Sequence, residues 1–206
     1  CIYDYIDECP QAYSVCFRYN YNMEFTDRFA DEVENLSVYV FDADGKYLRT
    51  FSDRGDALSK PGYCLPLPLD PGQYRLVAWA GLEGGCFEPS AMQASGAAAE
   101  DLVVALRCNG DGEVPYENPL VPLWQAMAET VTVPQPGTEH TDTLGLIKDT
   151  NTIRVILQQR DGGTVMHAAD YAFSIECPHG NGRLAYDNTL LGGRSLTYRP
   201  YLQTEG

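Results

Sequence analysis

The chain has 206 residues, 44% of them apolar, enough for one large domain or two small ones with a real core. Fourteen basic residues face 29 acidic ones, for a formal net charge of -15, so phosphate backbones and anionic headgroups are repelled and nucleic acid is not expected as a partner. No apolar run approaches the roughly 18 residues that a membrane-spanning helix needs, so any membrane attachment is expected to be covalent or supplied by a partner.

The first ten residues read CIYDYIDECP. Translation starts with Met, so a leading Cys1 is read as the product of upstream removal, with residues 1–11 as a polar leader. In residues 12–22, AYSVCFRYNYN, Tyr13, Val15, Phe17, Tyr19 and Tyr21 alternate with small or polar residues, the period-two pattern of a half-buried strand. FTDRFADEVENL places Phe25, Phe29, Val33 and Leu36 three and four apart, which predicts one or two helical turns with Thr26 as N-cap. LSVYVFDADGKYLRTF predicts a hairpin, because Asp-Gly supplies the positive torsions of a tight turn. The prolines of LPLPLDPGQY leave an edge-like extended piece and a turn at Asp70-Pro71-Gly72, since proline cannot donate to a sheet ladder. QYRLVAWAGL is apolar on both parities, as a strand buried on both faces would be. Residues 83–100 read as an irregular surface excursion, and DLVVALRC as a further strand. Two prolines, a glycine and several threonines suggest a linker over 134–148. Beyond it, NTIRVILQQ alternates Ile153, Val155 and Leu157, and YAFSIEC alternates Tyr171, Phe173 and Ile175, so both are predicted as strands. Short strands punctuated by turns predict an all-β sandwich architecture, with a first domain at 12–133 and a thinner second segment at 149–206.

No catalytic or metal constellation emerges. His140, His167 and His179 share no ligand spacing, and Asp42, Asp44, Asp111 and Glu113 lack the later carboxylates of a calcium loop. GxSxG, SxxK, GxGxxG and the P-loop pattern are absent, so no enzyme activity and no cofactor are expected. Trp79 reads as core, whereas the exposure of Trp124, in a proline-flanked stretch, is open. Tyr3, Tyr5, Tyr13, Tyr19 and Tyr21 crowd the amino-terminal end; they could form a sugar-stacking or protein-binding surface, but tyrosine also packs well on pleated strands for its own sake. Seven cysteines without a CxxC pair fit an exported, oxidising setting. With Cys1 set aside as a modified terminus, Cys9, Cys16, Cys64, Cys86, Cys108 and Cys177 are candidates for disulfides whose pairing the sequence cannot rank, with the alternative that several are small buried apolar residues with free thiols.

The leader CIYDYIDECP, the stretch CFRYNYNMEFTDRFADEVENLSVYVFDADGKYL, the strand LPLDPGQYRLVAWAGL and the later YDNTLL and LTYRPY together resemble the fimbrillin-associated anchor family of Bacteroides-type bacteria. The resemblance covers nearly the whole chain. It implies two transthyretin-like Greek-key β-sandwich domains. It also implies a lipobox cleaved before Cys1, diacylation of that thiol, and a non-catalytic lipoprotein at the cell outer membrane that anchors or caps a fimbrium and supports adhesion. Family members continue past the YRPY stretch, so the second sandwich is expected to be incomplete here, with an open edge that a fimbrial subunit could fill by strand addition. An alternative expectation is a surface lipoprotein that binds glycans or host protein through its aromatic-rich strands and loops.

Overall fold

Tyr13, Val15 and Phe17 each point inward from β1 (Tyr13–Arg18), as their alternation predicts, and every one of them is buried. A computed structural model describes residues 13–94, 96–158, 160 and 166–204 of the chain. After β1 comes a single helical turn, α1 (Phe29–Glu32), then the hairpin β2 (Asn35–Asp42) and β3 (Tyr47–Arg54). Asp42 Oδ1 accepts the backbone N–H groups of Asp44 and Lys46, and Gly45 takes φ +80°, which explains why Asp-Gly closes this turn. The expected N-cap at Thr26 is corrected: Arg28 holds the N-cap position without a side-chain capping bond, and the carboxylate before it, Asp27 Oδ1, accepts the N–H of Phe29 at 3.1 Å.

β4 (Cys64–Pro66) and β5 (Gly72–Ala80) follow, then β6 (Phe87–Pro89), β7 (Val103–Leu106) and β8 (Trp124–Val133). Five strands form the central sheet in the order β10-β8-β5-β2-β3, with β10 at Ile147–Lys148. One face packs on the three-stranded sheet β4-β1-β9, where β9 (His140–Gly145) runs parallel to β1. Between these sheets lie Leu36, Val38, Val40, Leu76, Ala78, Trp124, Val131 and their neighbours. The opposite face carries Tyr39, Phe41, Val77 and Trp79, covered by Phe87, Leu102, Val104, Leu106 and Leu196. Both parities of β2 and β5 are therefore core, as the unbroken apolar reading of QYRLVAWAGL implies. β8 keeps a continuous inner face by changing parity: the register shifts between Tyr74 and Leu76 of β5, so Trp124 and Ala126 before the bulge and Val131 and Val133 after it line the same core. Gly81 ends β5 at φ +93°, where a Cβ would come within 2.0 Å of the Pro122 carbonyl.

Among the described residues the fold is all-β with almost no helix. Two expectations are corrected. Residues 134–148 are not a plain linker, because the Thr-rich EHTDTLG and the following IK add as edge strands β9 and β10 to the sheets of the first segment; the prolines mark only the turn before them. Of NTIRVILQQ, expected as a strand through Ile153, Val155 and Leu157, the described residues 151–158 join no ladder and are all exposed. In YAFSIEC only β11 (Ile175–Cys177) forms, paired with β14 (Leu196–Tyr198). The remaining hairpin, β12 (Arg183–Ala185) and β13 (Leu190–Leu191), pairs with β7 to give a second layer in the order β13-β12-β7-β6. Strand pairing thus crosses from the first segment into the second.

Candidate docking surface

Two stretches place large apolar side chains in solvent. The first is the turn between β1 and α1, where Tyr21, Met23 and Phe25 are 81%, 94% and 87% exposed. The backbone beneath them is held by Asn22, whose Nδ2 donates to the carbonyls of Tyr19 (2.7 Å) and Thr26 (2.8 Å) and whose Oδ1 accepts the N–H of Glu24 (3.0 Å). Asp27 Oδ1 accepts from Tyr19 N–H, and Phe25 adopts φ +54°, a left-handed torsion that a phenylalanine seldom takes. Below the turn, Phe29 stacks between Phe17 and Tyr63. The second stretch is the extended segment 151–158, with Ile153, Val155, Ile156 and Leu157 all exposed.

The polar groups are committed elsewhere. Tyr13 donates its hydroxyl to Asp142 Oδ2 at 2.8 Å and stacks on His140, which joins β1 to β9; burial, then the bond to Asp142, pushes its phenol pKa well up. Arg75 pairs with Glu129 at the rim of a polar depression of about 100 Å³ that Asp42, Gln73 and Tyr74 also line, and its guanidinium lies 5.6 Å from the Tyr186 ring. Among the described residues no group of three or more His, Cys, Asp or Glu side chains gathers to hold a metal. Asp42 and Asp44 belong to the hairpin turn, Asp111 accepts the Glu113 N–H, and Glu113 pairs with Arg199.

At the start of the unpaired segment, Asn188 Nδ2 donates to Asp149 Oδ1 at 2.9 Å, while Asp149 Oδ2 and Asn188 Oδ1 are buried and unpartnered. Burial pushes the Asp149 carboxyl up to about 6, against the Asn188 bond, which favours the charged form.

Of the candidate disulfide cysteines, Cys16 and Cys64 are bonded, standing directly opposite each other across β1 and β4. Cys86, Cys108 and Cys177 are free thiols, a correction to their expected pairing: each lies on the second layer or its margin, apart from the β1–β4 ladder. Cys1 and Cys9, like Tyr3 and Tyr5, lie outside the described residues. Trp79 is core, and Trp124 is buried too, edge-on to Tyr19 with the Lys148 ammonium over its ring, so neither offers a binding face. Tyr13 and Tyr19 are buried; of the described amino-terminal tyrosines Tyr21 alone faces solvent. The sequence carries a faint sign of this turn, three large apolar residues two positions apart beside a strand end, but periodicity also allows Tyr21 and Phe25 as core.

Residues 6–206 match the family described as fimbrillin-A associated anchor proteins Mfa1 and Mfa2. No curated protein matches. Among solved structures, a Bacteroides thetaiotaomicron protein described as a candidate polysaccharide-binding protein is 34% identical with a TM-score of 0.84, over 92% of this chain and 65% of that one. A candidate adhesin of the same species is 30% identical with a TM-score of 0.82, over 94% of this chain and 63% of that one. The fimbrial anchor protein Mfa2 of Porphyromonas gingivalis is 18% identical with a TM-score of 0.68, over 92% of this chain and 66% of that one, a likeness of fold alone. The chain thus spans less than two thirds of the length of these proteins.

Proposed function

Because the chain belongs to the fimbrillin-A associated anchor family, we propose that it is a non-catalytic, fimbria-associated adhesion subunit, held at the outer membrane by lipid on Cys1 and joined to a fimbrial subunit by strand addition. The observation that carries this reading is the segment 151–158: strand-forming in composition, exposed throughout, and in no ladder. Its exposed aliphatic groups are unfavourable in water and its backbone can pair with an extended segment of another chain, which is how β-augmentation gains both main-chain hydrogen bonds and apolar burial. In this reading residues 1–11 are the leader and 149–206 contribute to a second sandwich that the partner strand completes. No helix among the described residues is long and apolar enough to cross a membrane. Acyl chains on Cys1 would supply the attachment at roughly 0.8 kcal/mol per buried CH₂, with more than one chain needed for stable anchoring.

Mass spectrometry of the amino-terminal peptide from envelope-purified protein tests the anchor. A tri-acylated Cys1 is expected; an unmodified Cys1, or one preceded by further residues in the mature protein, overturns it. A second reading, glycan binding, is favoured by the 34% identical relative described as a candidate polysaccharide-binding protein. Crystals soaked with oligosaccharides would then show a sugar stacked on exposed rings such as Tyr21, Tyr116 or Tyr201.

A further inference from the structure

The β1–α1 turn has the build of an interface anchor. Three large apolar side chains stand at 81–94% exposure within five residues, on a backbone fixed by the Asn22 and Asp27 hydrogen bonds and by further bonds from Phe25 N to Asn22 O and from Arg28 N to Tyr19 O. Exposed apolar groups gain nothing for the free fold, and the left-handed torsion at Phe25 adds strain. A turn that presents aromatic and thioether groups rigidly lowers the ordering cost of binding, and such groups dominate interface energetics.

Charge and position select the occupant. Between residues 18 and 35 five carboxylates (Glu24, Asp27, Asp31, Glu32, Glu34) outnumber two arginines; Arg28 is already held by Glu24 and Asp31 and Lys148 by Glu32, which leaves the region net acidic. An acidic collar repels anionic headgroups, which disfavours insertion into a membrane surface. The turn also lies at the opposite end of β1 from Tyr13, where the leader joins the body, about 20 Å away for a strand of this length. Resting on the fimbrial reading above, we propose that Tyr21, Met23 and Phe25 form the knob that docks into an apolar, basic-rimmed groove of a fimbrillin subunit.

The experiment measures binding of the full chain to purified shaft fimbrillin of the same bacterium, and in parallel to phosphatidylglycerol vesicles. Replacing the trio together (Tyr21→Ser, Met23→Ser, Phe25→Ser) is expected to weaken fimbrillin binding by at least about 100-fold with an unchanged melting temperature, since all three side chains lie outside the core. Asn22→Ala keeps the anchors but frees the turn, and is expected to weaken binding about tenfold. Rising salt is expected to weaken binding of the native chain through the acidic collar. If the native chain binds fimbrillin and the triple variant binds it equally well, the docking knob is overturned and the fimbrial reading stands. If the native chain binds vesicles through this turn, the knob is overturned in favour of a lipid surface. If the native chain does not bind fimbrillin at all, the fimbrial reading falls and the knob with it.

Discussion

Residues 13–148 and residues 149–206 use the same vocabulary of alternating apolar residues, yet they end in different physical states. In the first region strands reach ten residues, the central sheet is covered on both faces, and Val38, Val40, Phe41, Leu76, Val77 and Trp79 are wholly buried. In the second, strands are two or three residues long, and Ile153, Val155, Ile156, Ile175, Leu190 and Leu202 stand in solvent. The lesson is that strand-forming composition becomes a strand only where a neighbour supplies the other half of the ladder. QYRLVAWA has β2 on one side and β8 on the other; NTIRVILQ has neither.

Truncation should break the two regions unequally. Trp79→Ala removes a fully buried indole from the middle of the central sheet and should cost about 3–5 kcal/mol in urea unfolding, whereas Ile153→Ala should cost less than about 0.5 kcal/mol. Comparable losses from the two would mean that 151–158 packs on the body after all. The staple comes next in size. Cys16 and Cys64, 48 residues apart, tie the β1–β4 ladder, and replacing both with serine should lower stability by about 2–4 kcal/mol. Reducing the native protein should reproduce that loss, and a reductant effect that persists in the serine variant would contradict it.

The smallest effect sits at the seam between the regions. The Asp149 carboxyl, ordinarily at 3.8, is pushed up to about 6 by burial. A raised folded-state value means that the contribution favours the fold fully below about pH 4 and is lost as pH rises through about 6. Partial exposure trims the effect to about 1 kcal/mol, or a few degrees in melting temperature. Asp149→Asn stays neutral throughout, so its melting temperature relative to the native chain should rise between pH 4 and pH 7. A constant difference across that range would show that burial does not raise the Asp149 carboxyl in the fold.

Much of the first region was legible in the residues. Alternation in YSVCF, the Asp-Gly turn and the two-parity run QYRLVAWA each state a local preference that the tertiary structure satisfies. What stayed hidden depends on contacts distant in sequence. β9 pairs with a strand more than a hundred residues earlier, and its HTDTLG offers too few apolar residues to announce an edge strand. The Cys16–Cys64 bond follows from register, which no spacing rule supplies. The Tyr21–Phe25 turn reads in the sequence as the tail of a strand and the start of a helix, because the pattern marks which residues are apolar and not whether anything covers them. For the same reason NTIRVILQQ reads as a strand in the sequence: its composition is right, but no described strand pairs with residues 151–158.

Strand addition at segment 151–158 is the proposal to test first. Amide hydrogen exchange on the full chain, alone and saturated with fimbrillin, tests it most directly. The account predicts that the amides of residues 151–158 exchange freely in the isolated protein and become protected in the complex, while those of β2 and β5 are protected throughout. Protection of 151–158 in the isolated protein, or free exchange that saturating fimbrillin leaves unchanged, would contradict it.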